Sequence, residues 1–181
     1  MDYWPNRDAV IWFAREVLPL LRTRGVAVQF VIVGSNPAAD VRQLAQDDDV
    51  IVTGRVPDVR PYLAHADVVV APLRLARGVQ NKVLEAMAMA RSLVVTPQAL
   101  EGIDADPGTH LQVADSADAF ARSVAALLRD PAAAGMGRRA RARVVQSYGW
   151  AGNLAQLDAI VDGLPPAVAE PVAGRATAGR M

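Results

Sequence analysis

Between residues 76 and 97 the chain reads ARGVQNKVLEAMAMARSLVVTP, and most of its candidate chemistry is concentrated there. Glu85 is a carboxylate with two acceptor oxygens, a good match for the two hydroxyls of a vicinal diol. Read without a ligand, it is an acidic residue early in a helix, where the macrodipole favours negative charge. Lys82 is a compact point charge suited to a phosphate. Asn81 stands where the run turns helical. There it either caps the helix or joins the free N–H groups that attract anions. Gly78 either lets a bound group approach the backbone closely or simply turns the chain. Arg77 is a planar cation that pairs with carboxylate or phosphate and accepts no hydrogen bond from a hydroxyl. The plain alternative is a solvated arginine.

These residues need a frame that presents them together. Short β-branched runs recur along the chain: Val28–Val33, Val50–Thr53, Asp67–Ala71, Leu93–Thr96 and, more weakly, His110–Val113. Each is mostly apolar and bounded by Gly, Pro or Asp, the pattern of strands buried on both faces of a parallel sheet. Helical stretches lie between and after them, over residues 8–22, 38–46, 59–65, 81–90, 117–129, 132–147 and 150–161. The first is amphipathic, with Val10, Phe13, Ala14, Val17 and Leu21 on one face. Strand and helix in alternation predict an α/β fold, a doubly wound and mostly parallel Rossmann-like sheet. Ligands of such sheets bind beyond the carboxyl ends of the strands. Those ends carry Gly34-Ser35-Asn36-Pro37, Gly54-Arg55-Val56, Pro72-Leu73-Arg74 and Pro97-Gln98. The chain opens on a helix, whereas a sheet of this order opens on its central strand. The expectation is therefore a sheet lacking its first central strand.

Composition narrows the function. Lysine plus arginine equals aspartate plus glutamate at 19 each, so no bulk positive charge points to nucleic acid. No cysteine is present, which removes disulfides, thiol catalysis and cysteine-held zinc. The two histidines, His65 and His110, lie far apart, and no metal is expected. His65 reads as structural. No secretory leader or membrane-spanning run stands out, and a cytoplasmic protein is the expectation. The arginines at 138, 139, 141 and 143 read as a solvated helix face, or as a contact with anionic lipid at the inner membrane face. Residues 165–181, rich in Pro, Ala and Gly, read as a disordered tail behind a domain at 1–164.

With these residues in hand, the 78–97 block resembles the signature of the retaining glycosyltransferases of family 4, in the nucleotide-binding C-terminal domain of the GT-B fold. FVIVGSNP, VIVTGRVPDVRPYLAHADVVVAPL and QSYGW resemble further pieces of that domain, in order. MDYWPNRDAVIWF resembles the segment after its first strand. The likeness covers about residues 1–163 and is closest in flavour to sugar transferases of bacterial exopolysaccharide clusters. It implies a nucleoside-diphosphate-sugar donor, an acceptor sugar or lipid-linked glycan, and no cofactor. It also implies that Glu85 is the second glutamate of an E-x7-E motif and holds the donor's ribose. Arg77 stands where the first glutamate would face the transferred sugar, and a donor carrying a carboxylate would fit that change. Lys82, Arg7 and the N–H groups near Asn81 would stabilise the leaving diphosphate, and Arg77 with Lys82 would make up the catalytic pair. Gly78, Asn81, Arg55 and Arg7 would line the donor site, and Val56 would meet the base. The family has a second, acceptor-binding domain that this length does not hold, so the expectation is a truncated gene, a wrong start or an excised piece, inactive alone. The alternatives are a binding module serving a separate partner chain, a remnant that does not fold stably, and an unrelated nucleotide-sugar epimerase in which Glu101 or Asp104 would matter.

Overall fold

The computed structural model describes residues 3–149. The expected helix at 150–161, the tail at 165–181 and Trp150 of QSYGW lie outside the described residues. The described residues up to Val145 form one compact unit, and the architecture below is that of this unit.

The chain opens with α1 (Trp4–Trp12), a π turn (Phe13–Val17) and α2 (Leu18–Thr23). This run starts four residues before the expected Asp8, because Pro5 sits in the first turn with its φ already set for a helix. The π turn ends two residues before Pro19, which has no N–H and whose ring would crowd the carbonyl four residues back. Leu18 N–H reaches back to Phe13 O and widens the turn at that point. Leu18 is fully buried with Ile32, Val41 and Val50, whereas Phe13, Val17 and Leu21 belong to the cluster around Phe120. Ala14, expected on the face of Phe13, Val17 and Leu21, is only half-buried.

Strand and helix then alternate as expected: β1 (Phe30–Val33), α3 (Ala39–Gln43), β2 (Val50–Gly54), α4 (Arg60–His65), β3 (Val68–Ala71), α5 (Asn81–Ala88), β4 (Ser92–Val95), α6 (Pro97–Leu100), β5 (Gln112–Val113), α7 (Ala117–Arg129) and α8 (Ala133–Tyr148). All pairings are parallel. β1 pairs β2 with Val31 opposite Ile51, and the register shifts at Val33 so that it meets Gly54. β3 pairs β4 with Val69 opposite Leu93, and β4 pairs β5. The result is two hydrogen-bonded sheets, β1-β2 and β3-β4-β5. This is the pairing of a doubly wound sheet whose first central strand is not among the described residues.

A buried cluster around Phe13, Val17, Leu21, Val94 and Phe120 takes Phe30 from β1 and Val68 and Val70 from β3 onto its rim. A second cluster, around Val83, Met87, Leu93 and Val95, seats α5 against β3 and β4. α8 is held to the turn between α5 and β4. Ser92 Oγ donates to Ala133 O at 2.9 Å, Arg141 donates to Ala88 O, and a Cβ on Gly137 would collide with the backbone of Ala90. Two more arginines of the expected solvated face hold backbone as well. Arg139 donates to Thr109 O at 3.0 Å, and Arg143 to Asp104 O at 3.2 Å and Oδ1 at 2.7 Å. No helix among the described residues is long and apolar enough to cross a membrane.

Candidate functional site

The residues of interest gather at the carboxyl ends of β3 and β1, around the starts of α5 and α1. After β3 the chain runs through Pro72, Leu73 and Arg74 to Gly78. Thr96 Oγ1 donates to Leu73 O and so ties the ends of β3 and β4 together. Gly78 has φ +67°, with open space where a side chain would stand. Glycine is thus needed there for its backbone conformation. Gln80 occupies the cap position of α5, so the cap expected of Asn81 moves one residue back. Its amide makes no cap bond and donates to Arg77 O at 3.2 Å and Gly78 O at 3.0 Å, bracing the turn. The N–H groups of Val83 and Leu84 donate to Gln80 O. The N–H groups of Asn81 and Lys82 are therefore the ones directed out of the helix end.

Three consecutive residues of α1 reach three different elements. Asn6 Oδ1 accepts from Lys82 Nζ at 2.6 Å. Arg7 pairs with Asp40 at the start of α3, at 2.6 to 2.7 Å. Asp8 takes the guanidinium of Arg74, whose Nε lies 2.9 Å from Oδ2. Arg74 also lies over the ring of Trp12 at 5.8 Å. Its side chain was not singled out in the sequence, where its position directly after a strand was the available signal. Asp8 is what sequence alone gave no reason to choose.

The charges are tuned by this packing. Neighbouring atoms desolvate the Lys82 ammonium and push its pKa below the ordinary lysine value, against the opposing charge of Glu85 three residues on. The residue as a whole still reaches solvent. Burial alone would push the Asp40 carboxyl up. The hydrogen bond and charge of Arg7, with backbone amides, outweigh it and hold Asp40 below the usual carboxylate range. Arg7 therefore meets an incoming phosphate only by sharing or leaving Asp40.

Glu85 lies in the second turn of α5, exposed, so the first-turn dipole explanation weakens. Arg77 is exposed on the turn before α5. Arg55 and Val56 follow β2 beyond Gly54, which has φ +70°. Arg55 is exposed and Val56 half-buried, and no hydrogen bond joins them to the Asn6–Lys82 group. His65 sits on α4 with Nδ1 at 2.7 Å from Pro61 O, as a structural histidine would. Among the described residues no three His, Asp or Glu side chains gather to hold a metal.

A model of the family described as glycosyl transferases group 1 matches residues 1–130. No curated protein is a significant match. Among solved structures, sucrose-phosphate synthase from Thermosynechococcus elongatus is 22% identical with a TM-score of 0.67, over 82% of this chain and 41% of that one. A glycosyltransferase from Rickettsia africae is 16% identical with a TM-score of 0.70, over 90% of this chain and 45% of that one. HepE of Anabaena, in complex with UDP-glucose, is 16% identical with a TM-score of 0.70, over 85% of this chain and 46% of that one. The chain thus spans less than half the length of these neighbours, and its fold is that of one part of a GT-B glycosyltransferase. By the extent of the family match, the chain belongs to the group 1 glycosyl transferases.

Proposed function

We propose that this chain is the donor-binding part of a retaining, family 4 glycosyltransferase, taking a nucleoside-diphosphate sugar. The observation that carries the reading is the start of α5. There the amides of Asn81 and Lys82 leave the helix end together, and the Lys82 ammonium stands on Asn6, one helical turn from Glu85. Such an end favours a diphosphate through its dipole and its free donors. Glu85 then accepts from the ribose hydroxyls. The neighbour HepE was solved with UDP and with UDP-glucose, which favours a uridine donor.

In the reaction the bond from the anomeric carbon to the donor's phosphate oxygen breaks, and the nucleoside diphosphate leaves with the electron pair. The acceptor hydroxyl forms the new bond on the same face and passes its proton to the departing diphosphate oxygen. Charge develops on the leaving diphosphate, and fixed donors aimed at it lower the barrier. Lys82 and the α5 amides are those donors. Arg77 faces the sugar and selects a donor with an anionic substituent. Because the chain spans under half of its neighbours, catalysis needs the acceptor-binding part as well. The role assigned to the whole enzyme is transfer to a polysaccharide or glycoconjugate acceptor.

The test is an amide-proton NMR titration of the chain with UDP, and with GDP and ADP as controls. Shifts around Gly78–Glu85 with one nucleotide, lost in Glu85→Ala, are expected. Dispersed peaks that move with none of the three would overturn the reading. Multiple turnover by the chain alone would overturn its dependence on a second part.

A further inference from the structure

The loop after β4 reaches the turn that carries Arg77. Thr96 follows the strand and donates to Leu73 O, and α6 then leads along the carboxyl end of the sheet to Glu101 and Gly102. Gly102 has φ +77°. A Cβ placed on it would stand 3.4 Å from Val79 Cγ2 and 3.9 Å from the carbonyl carbon of Gly78. The two glycine turns are thus in contact, and Arg77 and Glu101 are the residues directly before the two glycines. Both are exposed. Neither side chain has a hydrogen bond or ion pair among the described residues. Space is open above Gly78, and a concavity of about 450 Å³ is lined by Pro97, Gln98, Leu100 and Glu101.

Other carboxylates around this end of the sheet are taken. Arg7 holds Asp40, Arg74 holds Asp8, Arg60 holds Asp58 and Arg143 holds Asp104. On the donor reading above, Glu85 takes the ribose, and Lys82 with the α5 amides takes the diphosphate. The sugar lies beyond the diphosphate, and the strand beside β3 in the sheet is β4, whose loop ends in Glu101. A sugar hydroxyl both donates and accepts. Arg77 offers donors alone, so the O–H groups of a sugar beside it still need an acceptor. Glu101 is the carboxylate at hand for them.

We propose that Glu101 determines specificity for the transferred sugar, its carboxylate accepting hydrogen bonds from ring hydroxyls while Arg77 meets an anionic substituent. The inference rests on the donor reading and adds to it the recognition of the sugar itself. The ligand class is a nucleoside-diphosphate hexose or hexuronate with free ring hydroxyls. The contact between Gly102 and the Gly78 turn fixes the backbone supports of the two charges relative to each other. The sugar is therefore bracketed by groups whose loops are in place before it arrives, which spares the cost of ordering them. A carboxylate that accepts from two neighbouring hydroxyls also reads their arrangement on the ring, which a lone cation does not.

The test compares the affinities of the full chain for UDP, UDP-glucose and UDP-glucuronate, read from amide-proton NMR titrations. GDP or ADP and its glucose form take the place of the first two if the titration above selects that base. Glu101→Ala is expected to weaken UDP-glucose about tenfold more than it weakens UDP, the scale of one hydrogen bond to a charged group. Glu101→Gln, which keeps an acceptor oxygen without the charge, should fall between. Arg77→Ala is expected to weaken UDP-glucuronate more than UDP-glucose. An unchanged ratio of UDP-glucose to UDP affinity in Glu101→Ala overturns the proposal and leaves the donor reading standing. That holds whether both ligands weaken equally, as a merely structural role would have it, or neither weakens. Failure of all three nucleotides to bind overturns the donor reading, and the proposal with it.

Discussion

β4 and β1 are both four-residue, mostly apolar strands, and they meet different surroundings. Ser92–Val95 is flanked by β3 and β5, has clusters on both faces, and every residue of it is buried. In Phe30–Val33 only Ile32 is buried. Val31 and its partner Ile51 are each 39% exposed, side by side on one face. An apolar strand is stable in proportion to the area it removes from water, so two mostly apolar strands contribute unequally here. The three-stranded half holds itself. The two-stranded half is held mostly from one face, by α1, α2 and α3.

The largest effect expected from this contrast is at Phe120. It is fully buried and makes edge-on ring contacts with Trp12 at 5.8 Å and Phe13 at 5.9 Å, while Phe13 stacks at a tilt on Phe30. Through those rings α7 holds the first helix, and through it β1. Phe120→Ala should cost about 3–5 kcal/mol. At roughly 2–4 °C per kcal/mol, thermal unfolding followed by circular dichroism should shift by about 6–20 °C. A shift below a few degrees would mean that β1 is held by something else.

Next comes a matched pair, one variant from each half. Leu93→Ala in β4 should cost about 2–5 kcal/mol, because a buried side chain leaves a cavity. Ile51→Ala in β2 should cost about 1 kcal/mol, because that side chain already touches water. Urea midpoints at constant slope measure both. Equal costs would erase the distinction between the halves.

Much of this contrast was legible from periodicity. The runs at 50–53, 67–71 and 93–96 became β2, β3 and β4 to within about a residue, since bounded β-branched runs have few other uses. The start of α1 was missed although Pro5 announced it, and Pro19 foretold the widened turn. What the sequence hid is long-range. Arg139, Arg141 and Arg143 looked like a solvated face because their partners lie 30 or more residues away and include the backbone of Thr109, Ala88 and Asp104, which no local pattern reveals. The candidate site divides the same way. Gly78, Asn81, Lys82 and Glu85 were readable because one turn and one helix place them together. The bonds from Asn6, Arg7 and Asp8 to Lys82, Asp40 and Arg74 cross between elements and were not.

A pH series tests whether the carboxyl end is built for an anion. Burial lowers the Lys82 pKa, so the fold favours the neutral amine relative to the unfolded chain. By that sign Lys82 costs stability while protonated, and the cost disappears as pH rises from its folded value towards the ordinary one near 10.4. A bound diphosphate favours the ammonium and restores the charge. UDP affinity measured by calorimetry should therefore fall as pH rises through the folded pKa, with proton uptake on binding in that window. Lys82→Met should cost about tenfold or more in affinity at neutral pH and flatten the alkaline fall. An alkaline fall that persists in Lys82→Met would place the sensitive group elsewhere.

The smallest effect on stability is expected from Asp40→Asn, and it bears most on Arg7. The Arg7–Asp40 pair is partly exposed, so its loss should cost under about 1 kcal/mol near neutral pH. Its contribution, with the carboxyl held low by Arg7, is present above the ordinary carboxylate value near 3.9 and fades as pH falls through the lower folded value. Releasing Arg7 separates its two roles. If the guanidinium serves the diphosphate, Asp40→Asn removes its competitor, and UDP should bind several-fold tighter, a gain abolished in Asp40→Asn with Arg7→Ala. If Arg7 only fastens α1 to α3, affinity should be unchanged and only the acid limb of the stability curve should move. The second result would leave Lys82 as the side chain that α1, through Asn6, positions at the helix end.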